Sequence, residues 1–219
     1  MSEAAGESAT QAALNRIDHL VLATPDLEQG VEFVRDHLGV DAVPGGHHPV
    51  YGTRNALVSL GDACYLEIIG PDNKVLDTEE VKVFGIHELD GPRLVTWAAN
   101  GSDLEELVES ARRETIDLGA VTLGSRRRPD GRELTWKFTD PLAARNGGVL
   151  PFFIDWGDTG HPASTLGNVC ELLEIRLYHP HAEETQRRLG VLGLELPVEP
   201  AEEPRVAARI RTPQGEVEL

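Results

Sequence analysis

One order of predicted elements, strand–helix–strand–strand–strand, occurs three times along the 219-residue chain. Residues 16–70 begin with the apolar strand IDHLVLA, continue with the helix PDLEQGVEFVRDHLG, and end in three short strands. The same order returns at residues 92–157 and again at residues 168–219. Helices with one apolar face and strands with apolar runs must be buried against a partner. The repeat therefore predicts an α+β fold of βαβββ units that pack on one another.

The signals that begin and end the elements also repeat. Asp26 in TPDLE is placed to begin the first helix, and the second and third helices begin at the corresponding junctions GSDLE and HPHAEE. Each helix pattern then ends in Leu-Gly, so Gly39 and Gly119 are predicted to end the first and second helices. The Gly61-Asp62 pair predicts a tight hairpin, and RRRPDGREL predicts a Pro-Asp-Gly turn.

Three stretches lie outside the repeats. Residues 1–15 are small, polar and acidic, lack the features of a signal peptide, and are expected to form a disordered tail. Residues 71–91 form an acidic connector, and residues 157–168 form a connector rich in Gly and Pro. The predicted domain of two units therefore covers residues 16–165, followed by the third unit.

Charge and hydropathy exclude several classes of function. The net charge of −17 opposes binding to nucleic acid or to anionic lipid, and no apolar run approaches the 18 residues that a membrane span needs. Cys64 and Cys170 lie in apolar strand-like runs, so we interpret them as buried thiols in a reducing cytoplasm, with a disulfide as the open alternative. Motifs of phosphate loops, zinc proteases, paired CxxC sites and serine hydrolases do not occur.

The sequence resembles the glyoxalase-like branch of the vicinal-oxygen-chelate superfamily, which includes glyoxalase I, bleomycin-resistance proteins and extradiol dioxygenases. The segments that carry the resemblance are IDHLVLATPDLEQGVEFVRDHLGV, PGGHHPVYGTRNALVSLGDACYLEIIG, RRRPDGRELTWKF and LPFFIDWGDTGHPA. They cover residues 16–165 well, whereas the third unit matches in outline only. The resemblance implies that two units pair and that their curved mixed sheets enclose a cavity.

In that superfamily a divalent metal is held by one residue on the first strand and one on the last strand of each unit. The resemblance assigns these roles to His19 and Glu67 in the first unit, and an imidazole with a carboxylate suits Zn, Ni, Fe or Mn. Glu67 is also the candidate general base, because desolvation raises the pKa of a carboxyl group toward neutrality. The structural alternatives are a buried hydrogen-bonded His19 and a solvent-facing Glu67.

The second and third units differ from this pattern. Aligning the helix junctions places Thr96 where His19 lies, and aligning the final glycines places Ile154 where Glu67 lies, so the second unit lacks both ligands. In the third unit the same alignments place Glu174 and Glu218 at those positions. His19, Glu67, Glu174 and Glu218 would form a four-ligand metal site if units one and three faced each other.

Several polar residues near the predicted cavity are candidates for substrate binding. Arg54 offers a planar fork suited to an anionic group, and a loop that only covers the first sheet is the equally weighted alternative. The full set of candidates is His48, Thr53, Arg54, Asn55, Asp155 and Trp156.

Two functions are compatible with these residues. The first is a glyoxalase-like enzyme, a lyase, isomerase or dioxygenase, that acts on a small oxygenated molecule with or without a divalent metal. The second is a non-catalytic protein that binds or sequesters a small molecule in the same cavity, and loss of the second unit's ligands favours it. Fold similarity alone cannot decide between them. The expected partner is a small-molecule ligand, and the third unit could also mediate a homodimer.

Overall fold

The computed structural model describes residues 12–127, 133–167 and 169–219. Within these ranges the helices are α1 (Leu27–Leu38), α2 (Leu104–Arg113) and α3 (Ala182–Val191), with short 3-10 helices at Thr78–Glu80, Val83–Glu88 and Pro162–Thr165. The strands are β1 (Ile17–Ala23), β2 (Val43–His48), β3 (Thr53–Ser59), β4 (Tyr65–Pro71), β5 (Arg93–Asn100), β6 (Val121–Arg127), β7 (Glu133–Thr139), β8 (Phe152–Asp155), β9 (Glu171–His179), β10 (Val198–Pro200), β11 (Arg205–Thr212) and β12 (Gly215–Glu218).

The first two units join into one curled, mixed sheet of eight strands in the order β2-β3-β4-β1-β5-β8-β7-β6. In each unit the first strand pairs in parallel with the last, β1 with β4 and β5 with β8. The two units meet where β1 pairs antiparallel with β5. Units one and two are therefore the pair that forms the curved sheet, which is the α+β architecture predicted from the repeat.

The third unit has the same element order but a different sheet. Its four strands lie in the order β10-β9-β11-β12, so its first strand lies between the second and third strands. In the first unit the first strand instead lies beside the fourth. Residues that correspond in the sequences of the first and third units therefore occupy different places in their sheets, including the predicted metal ligands.

Local signals at the first helix act as predicted. The Asp26 side chain accepts a hydrogen bond from the backbone N–H of Gln29 and begins α1. Gly39 ends it with φ 68°, a left-handed conformation that favours glycine. The prediction for the second helix is wrong, because α2 already ends at Arg113 and Gly119 lies in the irregular segment before β6. The Pro-Asp-Gly turn lies outside the described residues, as do the first eleven residues.

The largest core lies on the convex side of the eight-stranded sheet. Leu20 and Leu22 of β1 pack there with α1, α2 and apolar residues of the second sheet such as Leu177. A smaller cluster lies on the concave side and includes Val21 and Ala23 of the same strand. Strand alternation thus divides β1 between the two faces. Both cysteines are buried free thiols, as predicted.

None of the helices in the described ranges is long and apolar enough to cross a bilayer.

Candidate active site

The concave face of the eight-stranded sheet encloses a cavity of about 580 Å³. Tyr65 and Glu67 of β4 line it, whereas Leu66 between them belongs to the convex core. This alternation follows from the pleat of the strand. Much of the remaining wall is aromatic and is formed by Phe84, Trp136, Phe138, Phe152 and Trp156.

Asp18 organises one end of the cavity. It is fully buried at a β-bulge between Ile17 and His19, where the strand re-aims its side chain. Its Oδ1 accepts a hydrogen bond from Nδ1 of His19 at 2.7 Å, and its Oδ2 accepts from Nε1 of Trp156 at 2.9 Å and from Nε2 of His161 at 3.2 Å. One carboxylate therefore holds three side chains in place.

The pKa of Asp18 reflects two opposing effects. Burial alone raises the pKa, but hydrogen bonds from His161 and His19 and their charge interactions outweigh it, so the pKa lies below its ordinary value. The carboxyl group is consequently ionised at neutral pH. An ionised acceptor strengthens its hydrogen bonds relative to those of a neutral group.

His161 reaches this network from the connector between residues 157 and 168. Its Nδ1 accepts a hydrogen bond from the backbone N–H of Ala163 at 3.2 Å, so the proton resides on Nε2, which donates to Asp18. Both ring nitrogens are thus engaged. His161 therefore serves to close the end of the cavity and to orient Asp18.

His19 and Glu67 face each other beside the cavity. Because Nδ1 of His19 donates to Asp18, Nε2 is the nitrogen that faces Glu67, 3.7 Å from its Oε2. That separation exceeds a hydrogen bond and leaves room for a bridging atom of a ligand or of water. Asn55 Nδ2 donates to Oε1 of Glu67 at 2.5 Å, and the ring of Tyr65 stacks on His19 with centroids 4.6 Å apart. The pair is therefore oriented from several sides.

The second unit contributes apolar residues at the corresponding positions. His19 is in register with Tyr65 across β1 and β4, and Glu67 follows two residues later. Across β5 and β8, Ala98 is in register with Phe152, and Ile154 follows two residues later. If Ile154 corresponds to Glu67, the residue that corresponds to His19 is therefore Ala98 rather than Thr96. The Thr96 hydroxyl instead donates to the Gly148 carbonyl at 2.9 Å.

The structure does not bring together the four predicted metal ligands. Glu174 and Glu218 lie in the second sheet, where both accept hydrogen bonds from Arg176. The reason is that the first unit pairs with the second in the eight-stranded sheet, whereas the third unit forms a sheet of its own. Among the described residues, no three His, Cys, Asp or Glu side chains are grouped so that they could hold a metal ion. Two donors, His19 and Glu67, do not fit a site in which the protein supplies four ligands.

The predicted substrate-binding residues fall into two groups. His48, Thr53, Asn55 and Trp156 line the cavity. Arg54 and Asp155 do not: the Arg54 guanidinium donates to both carboxylate oxygens of Glu28 on α1, and the Asp155 side chain accepts from the backbone N–H of Gly157. Both point away because they alternate with cavity-lining neighbours along their strands.

Sequence reasoning missed three residues of the site. Asp18 was overlooked because strict alternation places it opposite His19, and only the bulge brings the two together. His161 lies 143 positions from Asp18, and Phe84 lies in the acidic connector, which was not considered as part of the wall. The Asp-His pair within an otherwise apolar strand was the available signal for Asp18.

The chain matches the model of a known family. A family model described as "Glyoxalase-like domain" matches residues 17–193, so the chain belongs to the glyoxalase-like domain family of the vicinal-oxygen-chelate superfamily. This confirms the resemblance seen in the sequence. No protein of curated function matches the chain.

Solved structures share the fold at low sequence identity. A hypothetical protein from Staphylococcus aureus is 15% identical with a TM-score of 0.65, and the match covers 91% of this chain and 92% of that chain. Methylmalonyl-CoA epimerase from Mycobacterium tuberculosis is 25% identical with a TM-score of 0.44, covering 65% of this chain and 88% of that chain. A hypothetical protein from Bacillus halodurans is 18% identical with a TM-score of 0.45, covering 66% and 96%. The likeness to the Staphylococcus aureus protein describes the fold alone.

Proposed function

We propose that the protein is an isomerase or lyase that moves a proton on a small oxygenated molecule, with His19 and Glu67 as the acid–base pair. The observation that supports this most strongly is the 3.7 Å separation between Nε2 of His19 and Oε2 of Glu67 beside an aromatic cavity. Both side chains are largely buried, with 4% and 10% of their surface exposed. Buried acid–base pairs next to a cavity are the usual machinery of proton transfer.

The proposed step begins at a carbon next to a carbonyl group. Nε2 of His19 accepts the proton of the breaking C–H bond, and the electron pair moves onto the carbonyl oxygen to give an enolate. Ionised Asp18, hydrogen-bonded to Nδ1, stabilises the imidazolium that forms. In a hydroxyketone, Glu67 moves the proton of the neighbouring hydroxyl group to the enolate oxygen, and His19 returns its proton to the former carbonyl carbon, which completes an isomerisation. In an elimination, the enolate electron pair re-forms the carbonyl group, a C=C bond forms, and the leaving group departs from the next carbon with its electron pair and takes the proton from His19. No step of this scheme uses a metal.

The cavity walls suggest which molecules would bind. Neither Lys nor Arg lines the cavity among the described residues, and Glu67 is the carboxylate that does. A ligand with a neutral, apolar body and one polar oxygen group therefore fits better than an anion. The aromatic side chains would contact the body while the polar end lies at His19 and Glu67.

Proton exchange in deuterated water tests the proposal. A panel of small neutral ketones and hydroxyketones is incubated with the protein, and NMR follows loss of the hydrogens next to the carbonyl. We expect exchange with at least one compound and a decrease of about 100-fold or more in Glu67→Gln and His19→Gln. Asp155→Asn is the matched control, because that carboxylate lies on the same sheet but outside the cavity.

The second candidate is a binding protein without catalysis, and the apolar wall around Ala98, Phe152 and Ile154 favours it. Compounds that raise the melting temperature but exchange no hydrogen would support sequestration and contradict the enzyme. Exchange that persists unchanged in both the Glu67 and the His19 variants would show that another group carries the proton.

A further inference from the structure

A second cavity of about 1000 Å³ lies between the two sheets. Its wall includes Arg93 at the start of β5, Arg145 in the loop between β7 and β8, and Arg205 at the start of β11. Lys82 of the acidic connector also lines it. Cationic side chains from four separate segments thus converge on one concave surface of a chain whose net charge is −17.

These arginines differ from most others in the chain. Eight arginines form ion pairs with carboxylates, namely Arg35, Arg54, Arg112, Arg176, Arg187, Arg188, Arg209 and Arg211. Within the described ranges, Arg93, Arg145 and Arg205 have no carboxylate within ion-pair distance. Arg205 instead lies over the ring of Tyr178, at 4.2 Å from the centroid. Among the described residues Arg16 and Arg113 also lack an ion pair, but Arg93, Arg145 and Arg205 are the ones that converge on one cavity.

Arg145 has the strongest need for a counter-ion. Burial lowers the pKa of its guanidinium to about 10, although the charge of Asp140 acts in the opposite direction. Nη1 donates to the Pro141 carbonyl, whereas Nε is buried and has no hydrogen-bond partner among the described residues. Asp140 compensates this charge only from beyond ion-pair distance, so an anion bound beside the guanidinium would offset the remaining cost of its desolvation.

We propose that this second cavity binds an organic anion that carries phosphate or carboxylate groups, with Arg145 at the inner wall and Arg93 and Arg205 at the exposed rim. Guanidinium groups suit both anions because their planar fork matches two oxygens at once. Glu202 and Glu203 also line the cavity, and both are exposed. They oppose anions that extend toward them, so a compact anionic group near the arginines fits best.

The site is separate from the proposed active site in its chemistry. The first cavity has an aromatic wall and one carboxylate, and the second has four cations. Phe84 and Pro141 line both. The two proposals can therefore be tested independently, because the residues to be changed belong to one cavity or to the other.

Calorimetric titration of the full chain with pyrophosphate and with citrate tests the proposal. We expect saturable binding of at least one of them, and a loss of about tenfold or more in affinity for the Arg93→Gln/Arg205→Gln double variant. Arg112→Gln is the matched control, because it also replaces an arginine with glutamine, but at an exposed ion pair with Glu109 on α2. Glu67→Gln should leave anion binding unchanged. The tighter of the two anions identifies phosphate or carboxylate as the preferred group.

A variant at the inner wall, Arg145→Met, provides a second measurement. It removes the charge while keeping most of the apolar volume, so the folded protein should no longer bind the anion, and its melting temperature shows that the fold persists. Absence of binding to either anion by the wild type would overturn the proposal. Equal affinity of the wild type and the double variant, or an equal loss in Arg112→Gln, would also overturn it, because the charge effect would then be general rather than local.

Discussion

The two halves of the eight-stranded sheet share one backbone plan but have opposite chemistry. In the first half, strands β1 and β4 carry His19 and Glu67 into the cavity, whereas β8 of the second half carries Phe152 and Ile154. The parallel registers of the two strand pairs correspond. The comparison shows that a repeated unit preserves where side chains point while their chemistry diverges. One half holds the polar groups, and the other half supplies much of the apolar wall.

The largest effect in this comparison should come from the buried carboxylate of the polar half. Asp18 accepts hydrogen bonds from three N–H groups, and Asp18→Asn replaces one of its acceptor oxygens with an NH2 group that cannot accept them. We therefore expect the free energy of unfolding to fall by about 3 kcal/mol or more. Thr96→Val, which removes one hydrogen bond in the other half, should lower it by about 1 kcal/mol. Urea unfolding of both variants measures the difference. Equal decreases in the free energy of unfolding would contradict the view that Asp18 stabilises its half of the sheet more than Thr96 stabilises the other.

A second prediction adds a potential metal ligand to the apolar half of the sheet, so that the two halves become more alike. Ile154→Glu places a carboxylate at the position that corresponds to Glu67, giving three donors with His19. We expect this variant to bind Zn²⁺ more tightly than the wild type by about tenfold or more in calorimetric titration, and to unfold about 2 kcal/mol more easily without metal. Ile154→Gln is the control for polarity without charge. Unchanged zinc affinity would show that the two positions do not correspond in space.

The pH dependence of stability sharpens the role of Asp18. Because its pKa is lower in the folded protein than its ordinary value of 3.8, ionised Asp18 stabilises the fold above that pH, and this contribution is lost as the pH falls through the folded pKa. The stability difference between the wild type and Asp18→Asn should therefore shrink as the pH falls below 3.8. Urea unfolding at a series of pH values measures it. A difference that grows in acid would contradict the assignment.

The smallest effect should come from a residue on the other face of the polar half. Arg54 pairs with Glu28, whose side chain is 70% exposed, so Arg54→Gln should lower the free energy of unfolding by about 0.5 kcal/mol or less. Ligand binding in the aromatic cavity should not change. A loss of binding in thermal-shift titration would mean that Arg54 reaches the ligand after all.

Periodicity in the sequence was sufficient for the βαβββ units and for the placement of His19 and Glu67 on neighbouring strands. It could not reveal Asp18, because a bulge changes which face a residue occupies without changing the apolar pattern. It misplaced Glu174 and Glu218 because element order does not determine strand order in a sheet. His161 and Phe84 reach the site from connectors, whose paths depend on tertiary packing rather than on local pattern.

Phe84 lines both cavities, and its ring centroid lies 5.9 Å from that of Phe152 and 5.5 Å from the Arg145 guanidinium. Its backbone has φ 55°, a conformation that bulky residues rarely adopt. Any substitution at this position alters the first, aromatic cavity and the second, arginine-lined cavity at the same time. Experiments that aim to separate their contributions should therefore leave Phe84 intact and change residues that belong to a single cavity.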